Sequence, residues 1–476
     1  MSDFSFYWHD YETFGRVPRR DRPAQFAGIR TDADLNEIGE PLMVYCQPAP
    51  DFLPDPESCL LTGILPQTCL AQGVPEHQFA DRIEAELARP GTIGLGYNTI
   101  RFDDEVTRYL FWRNLMDPYA REWQNDCGRW DLLDVVRCAY ALRPEGINWP
   151  THEDGRPSFK LEHLTVANGL SHEAAHDALS DVRATIALAR LLKTAQPKLF
   201  EFCLRLRRKE AVWAEIGVGK PFLHVSGMYG PERGCIGFVW PLAPHPTNKN
   251  ELIVWDLGTD PSELLELSAE AIRGRMFVKQ EDLPEGTSRL PIKTIHVNKS
   301  PIVIGNPKTL SAAMAAKWGL DIEQGLAHAR LLAEKGKLLD GLWPAVFKRE
   351  PLPPGDVDED LYGGFLGADD KRALQRVRAT SPEQLAQRAG EGKLNFADER
   401  LDELVFRWRA RNFPASLSEA ERERWQAHCA ARLQQAVGPY TERIDALGEQ
   451  LGDEDERGQD ILGALYEYAE QIAGQD

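Results

Sequence analysis

The chain opens on a nearly continuous apolar run, Phe4-Ser5-Phe6-Tyr7-Trp8, of the length that forms a buried strand. The stretches Pro41–Tyr45 and Thr92–Tyr97 repeat that pattern, giving strand-like runs at Phe4–His9, Pro41–Tyr45 and Thr92–Tyr97. Between and after them the apolar positions fall at helical spacing, as in Val106, Tyr109, Leu110 and Trp112, or Val182, Ile186, Ala189 and Leu192. Alternating strand and helix signals predict an α/β sheet unit over residues 4–195. A basic, helical-looking bridge, Phe200 to Lys209, leads to FLHVSGMYG, GCIGFVWPLAPHP, ELIVWDLG and IKTIHVNKSPIVI, then to a helical pair at 309–335. A small β-barrel with helical additions over 200–349 follows from that order. The segment EPLPPGDVDED (350–360) is rich in proline and acid and marks a linker. Beyond it, Leu401, Leu404, Val405 and Trp408, and Ile461, Leu465, Tyr468 and Ile472, keep helical periodicity, so residues 355–474 form an all-helical unit. Three units suit a length of 476 residues.

Composition narrows the class. The eight cysteines, at 46, 59, 69, 127, 138, 203, 235 and 429, form no CxxC pair or zinc-like spacing. They read as buried or incidental thiols in a reducing compartment, which implies a cytoplasmic location. No apolar run is long enough to span a membrane, and the N-terminus lacks a basic region followed by an apolar one, so neither a membrane partner nor a secretory signal is expected. A net charge of −19 argues against a nucleic-acid partner if taken globally. Residues 351–476, however, hold 26 Asp and Glu against 15 Lys and Arg, more than half of the excess. Steering of a charged ligand depends on the local field in a cleft, which the total does not describe.

Acids and one histidine in the first unit carry the chemistry. Asp10 and Glu12 lie in FYWHDYETFG, Asp103 in GLGYNTIRFDDEVTRYLF, and His176 and Asp181 in AAHDALSDVRATIALARLL. An Asp-x-Glu pattern starts at Asp10, Asp55, Asp103 and Asp321, so the pattern alone is weak. Asp55 sits in the proline-flanked LPDPES and reads as a solvated turn acid. Asp321 follows Gly319 and reads as a helix cap. Asp10 differs because it follows the first strand-like run, and two residues on, Glu12 shares its face. Two acids aimed the same way off a core strand are costly unless a cation lies between them. Asp103 opens a helix, where Asp103, Asp104 and Glu105 could equally serve the helix dipole; spacing does not separate the two roles. Asp177 or Ser180 could cap the helix that carries Asp181, with His176 on the loop before it. Hard oxygen ligands without thiolate suit magnesium or manganese. Converging carboxylates suit two-metal phosphoryl transfer, with ions about 3.5–4 Å apart.

These motifs resemble those of the histidine-bearing (DEDDh) branch of the DEDD exonuclease superfamily. DRPAQFAGIRTD, GRWDLLDVVRCAYALRPEGINWP, PSFKLEHLTVANGL, HVSGMYG, HVNKSP and LVFRWRARNFP extend the resemblance over nearly the whole chain, to the bacterial exodeoxyribonuclease I family. The resemblance implies a ribonuclease H-like exonuclease domain, an SH3-like barrel and a helical C-terminal domain. It implies a processive 3′→5′ exonuclease on single-stranded DNA that releases 5′-mononucleotides and serves DNA repair and recombination. Asp10, Glu12, Asp103 and Asp181 would hold two Mg²⁺ ions, Mn²⁺ being able to substitute, and His176 would act as general base. Lys160 stands where better-known members carry arginine, a point charge in place of a planar fork.

Single strands are held by aromatic platforms and cations. Phe102, Tyr119, Trp123 and Phe159, with Arg108, Arg137 and Lys160, are the candidates in the first unit. His224, Ser226, Asn250, Asn298 and Lys299 are those in the second, in segments that resemble the family's DNA-contacting face. The resemblance also implies a partner, the acidic C-terminal tail of single-stranded DNA-binding protein, near Arg143 and Lys220, and a monomer. A ribonuclease of the same superfamily would share the five active-site residues but end near residue 200. A proofreading subunit would need no barrel or closing domain, and a mere strand binder would not need the acids.

Overall fold

The computed structural model describes residues 4–170, 177–349, 355–391, 394–452 and 454–474. At the centre of the first sheet is strand β1 (Ser5–Thr13), whose first half, Phe6–Trp8, is apolar on both faces because both are covered. Phe6 and Trp8 enter one core, and Tyr7 and Tyr11 enter another. Strand β2 (Pro23–Thr31) pairs antiparallel with β1, and β3 (Leu42–Tyr45) antiparallel with β2. Strand β4 (Thr92–Leu95) runs parallel to β1, and β5 (Gly128–Arg129) parallel to β4, giving the order β3-β2-β1-β4-β5. The parallel crossover from β3 to β4 carries the helices Pro56–Thr62, Pro66–Gln72 and Glu76–Leu87. The helix Ala178–Ala195 packs on β1 and β2.

Two features differ from the sequence reading. Strand β2 was not among the expected strands, since Pro23, Gly28 and Arg30 interrupt its pattern, yet all nine of its positions are buried. Gly28 is required there: a Cβ would lie 2.2 Å from the Tyr7 hydroxyl. Arg30 is held in the interior by the hydroxyls of Ser5 (2.7 Å) and Thr92 (2.9 Å), which accept from its Nη1, and by the Glu86 carboxylate (3.1 Å). Strand β1 also runs on past His9. Asp10 and Glu12 therefore lie inside it, opposite Ala27 and Gln25 of β2.

The second sheet is antiparallel throughout. Its strands are β6 (Phe222–Val225), β7 (Ile236–Pro244), β8 (Glu251–Asp256), β9 (Ile292–His296) and β10 (Ile302–Ile304), in the order β10-β6-β7-β8-β9. A break in register at Pro241–Ala243 bends β7. The helices Ala312–Lys317 and Ile322–Lys335 are the expected pair, and Asp321 caps the second through the Gln324 amide. One apolar cluster runs from Trp8 through Phe200 and Leu206 to Phe222 and Val239, so the two units share a core through the bridge.

The C-terminal helices are Ala368–Arg378, Pro382–Gly390, Arg400–Asn412, Glu419–Leu451 and Glu456–Ala473. The longest starts on a reciprocal cap between Ser418 and Glu421. They dock on the first unit in two places. Tyr109, Trp112 and Leu115 meet Leu361, Leu374, Leu404 and Trp408, while Phe14, Phe52 and Cys59 meet Tyr440, Ile444 and Leu465. Buried charges cross the same seam: Arg411 pairs with Asp51 (2.8 Å) and with Asp358, which also lies 3.4 Å from Arg22. Removing one partner of such a set costs about 3–5 kcal/mol, because it strands a buried charge. All eight cysteines are free thiols, and no helix among the described residues is long and apolar enough to cross a membrane.

Candidate active site

Strand alternation puts Tyr11 on the face opposite Asp10 and Glu12. Its ring packs against Phe26 and its hydroxyl lies 3.0 Å from that of Thr107. That leaves Asp10 and Glu12 side by side on the other face, towards the start of the helix Ala178–Ala195. Asp177 caps this helix by accepting from the Ser180 amide (3.1 Å), which sets Asp181 in its first turn. Carboxylate oxygens of Asp10, Glu12 and Asp181 lie within 4.8 Å of one another.

Asp103 arrives from a different direction. Between β4 and the helix Asp103–Arg113, the backbone turns through Asn98, whose φ is +66°. The Asp131 carboxylate fixes that turn by accepting from the amides of Asn98 (3.0 Å) and Ile100 (3.1 Å). Gly96 lets the turn pass β1, since a Cβ there would lie 2.4 Å from the His9 carbonyl oxygen. Asp103, buried, then accepts from the Tyr11 amide at 3.0 Å, which ties it to the strand between Asp10 and Glu12.

The electrostatics separate Asp103 from its neighbour. Burial pushes the Asp103 carboxyl up to about 8, with the charge of Asp104 adding to it. Burial likewise pushes Glu12 up to about 8, reinforced by Asp181 and Asp103. Asp10 is driven well above the usual carboxylate range by burial, then by Asp103, Glu12 and Asp181. Burial also acts to raise Asp104, but Arg121 and Arg129 overcome it and hold that carboxyl far below its ordinary value. Asp104 is thus a paired structural acid. Asp10, Glu12 and Asp103, each raised and gathered beside Asp181, form an acid group whose ionisation sets like charges against one another, a cost that cations relieve. Its donors are all hard oxygens, which suits a divalent ion of the magnesium kind. His176 lies outside the described residues. Asp55 accepts from the Ser58 amide (3.1 Å), a helix cap in place of the solvated turn acid expected.

The proposed strand contacts are disposed unevenly. Trp123 is 66% exposed, and Tyr119 lies under the Arg108 guanidinium at 5.2 Å and beside Phe365 at 6.2 Å. Arg108 itself is buried and committed to Glu122 and Glu105, each at 2.7 Å. Phe102 is partly buried at the entry to its helix, against the core that contains Val106. Phe159 packs edge-on to Tyr140 (5.2 Å), and Lys160 is exposed beside Glu162. Arg137 pairs with Asp134 (2.7 Å) and lies flat on Gly227, where a Cβ would clash at 2.9 Å.

In the second unit, His224 is buried with Nδ1 3.0 Å from the Ile302 carbonyl, and burial lowers it to about 4. Ser226 caps the Met228 amide (3.3 Å), and the Asn250 side chain accepts from Lys209 (2.6 Å). Asn298 is exposed, and Lys299 lies 3.7 Å from Glu105. Arg143 edges a cavity of about 440 Å³ that Pro197, Lys198, Leu199 and Phe202 also line; Lys220 is exposed. Sequence reasoning missed Asp131, Arg121, Arg129 and Tyr362, whose hydroxyl lies 3.0 Å from Arg108. Only Asp131 left a signal, as an acid directly before an apolar helical run.

Comparison with known proteins fits this arrangement. A family model described as "Exonuclease" matches residues 7–189, one for the "Exonuclease I SH3-like domain" matches 207–349, and one for the "Exonuclease I C-terminal domain" matches 355–472. The chain is 46% identical to the exodeoxyribonuclease I of Escherichia coli strain K12, over 98% of each chain. It is similar to the crystal structure of E. coli exonuclease I in complex with a dA16 oligonucleotide, with a TM-score of 0.94 and 45% identity, covering 98% of this chain and 100% of that one. It is also similar to the zinc-bound form of the E. coli enzyme with single-stranded DNA, with a TM-score of 0.93 and 44% identity, covering 99% and 100%.

Proposed function

The chain belongs to the exodeoxyribonuclease I family, and from that premise we propose a processive 3′→5′ exonuclease on single-stranded DNA that releases 5′-mononucleotides. The observation that carries the reading is the group Asp10, Glu12 and Asp181, whose oxygens converge within 4.8 Å with Asp103 tied to the same strand. Acids so arranged suit two Mg²⁺ ions, and Mn²⁺ would fit the same donors. When bound, such ions neutralise the acids and supply Lewis-acid stabilisation of the charge that develops on the phosphodiester.

The protein's own share is positional. Strand β1 holds Asp10 and Glu12 rigidly through its pairing with β2. The Asp177 cap orients Asp181, and the Tyr11 amide orients Asp103. His176 would take the proton from the attacking water. Exposed Trp123, Lys160 and Asn298 and partly exposed Tyr119 would hold the strand by stacking and hydrogen bonding, with Lys299 near its end. Phe102, Phe159, Arg137, His224, Ser226 and Asn250 would shape the groove from more buried positions. Arg108 would act through Tyr119 and Glu122 rather than as a free cation.

The apolar cavity rimmed by Arg143 and Lys198 suits the acidic, phenylalanine-ended tail of single-stranded DNA-binding protein. Lys220, exposed and outside the lining of that cavity, would add a further cation to the same partner surface. The enzyme would act as a cytoplasmic monomer in repair and recombination. Incubation of the full-length chain with 3′-ended DNA and RNA oligonucleotides, with and without Mg²⁺, tests the reading. Metal-dependent mononucleotide release from DNA is expected; hydrolysis in EDTA, or of RNA alone, would overturn it.

A further inference from the structure

Asp103 and Asp104 are neighbours with opposite surroundings, and the partners of Asp104 lead away from the acid group. Asp104 accepts from Arg121 at 2.5 Å and from Arg129 at 3.0 Å, with all three side chains buried. Arg129 then reaches further. Its Nε lies 3.3 Å from Glu122, and its Nη2 donates to the Asn298 carbonyl at 3.1 Å. The Ser300 hydroxyl returns a bond to the Arg129 carbonyl at 3.1 Å. One guanidinium at the end of β5 thus spans the helix that begins at Asp103, the turn at Glu122 and the barrel segment 298–300. The pairs with Asp104 and Glu122 balance charge, whereas the bond to the Asn298 carbonyl does not. A planar fork reaches all three acceptors at once, which a lysine ammonium does not reproduce.

We infer that Arg129, clamped by Asp104, is a positioning residue that holds Asn298–Ser300 in fixed register with Asp103, so that a strand gripped by the second unit presents its phosphodiester to the acids. The inference rests on the reading above, in which Asp103 serves metal and Asn298 and Lys299 serve DNA. No group of this relay touches the reacting atoms. Loosening it changes the alignment of the scissile bond and leaves the strand contacts themselves in place. A misplacement of about 1 Å is enough for roughly 100-fold in rate.

The test uses the full-length chain. Arg129→Lys keeps a cation beside Asp104 and removes the bond to Asn298. Its melting temperature and its affinity for a dT oligonucleotide in EDTA should stay near wild type, while kcat falls about 10–100-fold. Ser300→Ala removes the second bridge and should lower kcat in the same direction by a smaller factor; it decides the matter should Arg129→Lys fail to fold. Unchanged kcat in Arg129→Lys, or in Ser300→Ala where Arg129→Lys does not fold, or a loss of affinity that matches the loss of kcat, overturns the relay. Asp103→Asn assayed alongside separates the two levels: activity retained there would overturn the reading of Asp103 as a metal acid, whereas an inactive Asp103→Asn with a fully active Arg129→Lys refutes the relay alone.

Discussion

Replacing Asp10 with asparagine should inactivate the enzyme and yet stabilise it, under one set of conditions. Three carboxylates whose oxygens lie within 4.8 Å repel one another when ionised. At that separation and an effective dielectric of about 20, each pair costs about 3.5 kcal/mol. Asp10→Asn removes two of the three pairs, so a gain of a few kcal/mol is expected once all are charged. The pH window follows from Glu12 and Asp103, both raised to about 8 in the fold. A carboxyl raised above its unfolded value binds an extra proton when folded. Its stabilising contribution is full at acid pH and is lost as pH rises through about 8. In EDTA, the melting temperatures of wild type and Asp10→Asn should therefore coincide near pH 4, below the unfolded carboxyl values, and separate progressively by several degrees or more up to about pH 8, with the variant higher. Saturating Mg²⁺ should reverse the order, because cations bind the folded wild type and reward its full set of acids. Scanning calorimetry at pH 4, 5, 6, 7 and 8 with EDTA, and at pH 8 with Mg²⁺, measures both differences. A gap that does not open with pH in EDTA would refute the repelling-acid account of the site.

Other outcomes follow from the same geometry. Asp181→Ala should lower turnover by about a thousandfold or more while strand binding in EDTA survives; Asp321→Ala, a helix cap, should keep full kcat and lose only about 1 kcal/mol of stability by melting. His176→Ala should lower kcat about 10²–10⁴-fold and abolish the inflection in the pH–rate profile, with the Mg²⁺ requirement unchanged; near-normal turnover at pH 7–8 would exclude it as the base. Lys220→Glu and Arg143→Glu should each weaken stimulation by single-stranded DNA-binding protein and spare basal hydrolysis, which a pull-down with a tail peptide and a nuclease assay measure together.

Legibility in the sequence followed the range of the interactions. Asp10 and Glu12 could be paired from sequence because strand alternation is local, and Asp321 could be assigned as a cap for the same reason. Asp103 and Asp104 could not be told apart, since both head the same helix. What separates them is Arg121 and Arg129, which arrive 17 and 25 residues later. Strand β2 escaped notice because its Pro, Gly and Arg are tolerated by tertiary partners that a pattern does not show: Tyr7 for Gly28, and Ser5 and Thr92 for Arg30. Arg108 looks like a DNA cation until Glu105 and Glu122 are seen to claim it. The seam ties Arg411 to Asp51, 360 positions away, and Arg22 to Asp358, 336 positions away, beyond any periodicity argument.

That seam sets an order of events during synthesis. A ribosome adds about 5–20 residues per second, so about 10–40 s separate the emergence of residue 195 from that of residue 411. Throughout that interval Tyr109, Trp112 and Leu115 face water, and Asp51 and Arg22 wait for partners at Asp358 and Arg411. The catalytic unit is therefore the first to be made and the last to be clothed. A nascent chain stalled before the C-terminal helices carries an open apolar flank on the back of the helix that begins at Asp103, and its fate is decided by what binds that flank first.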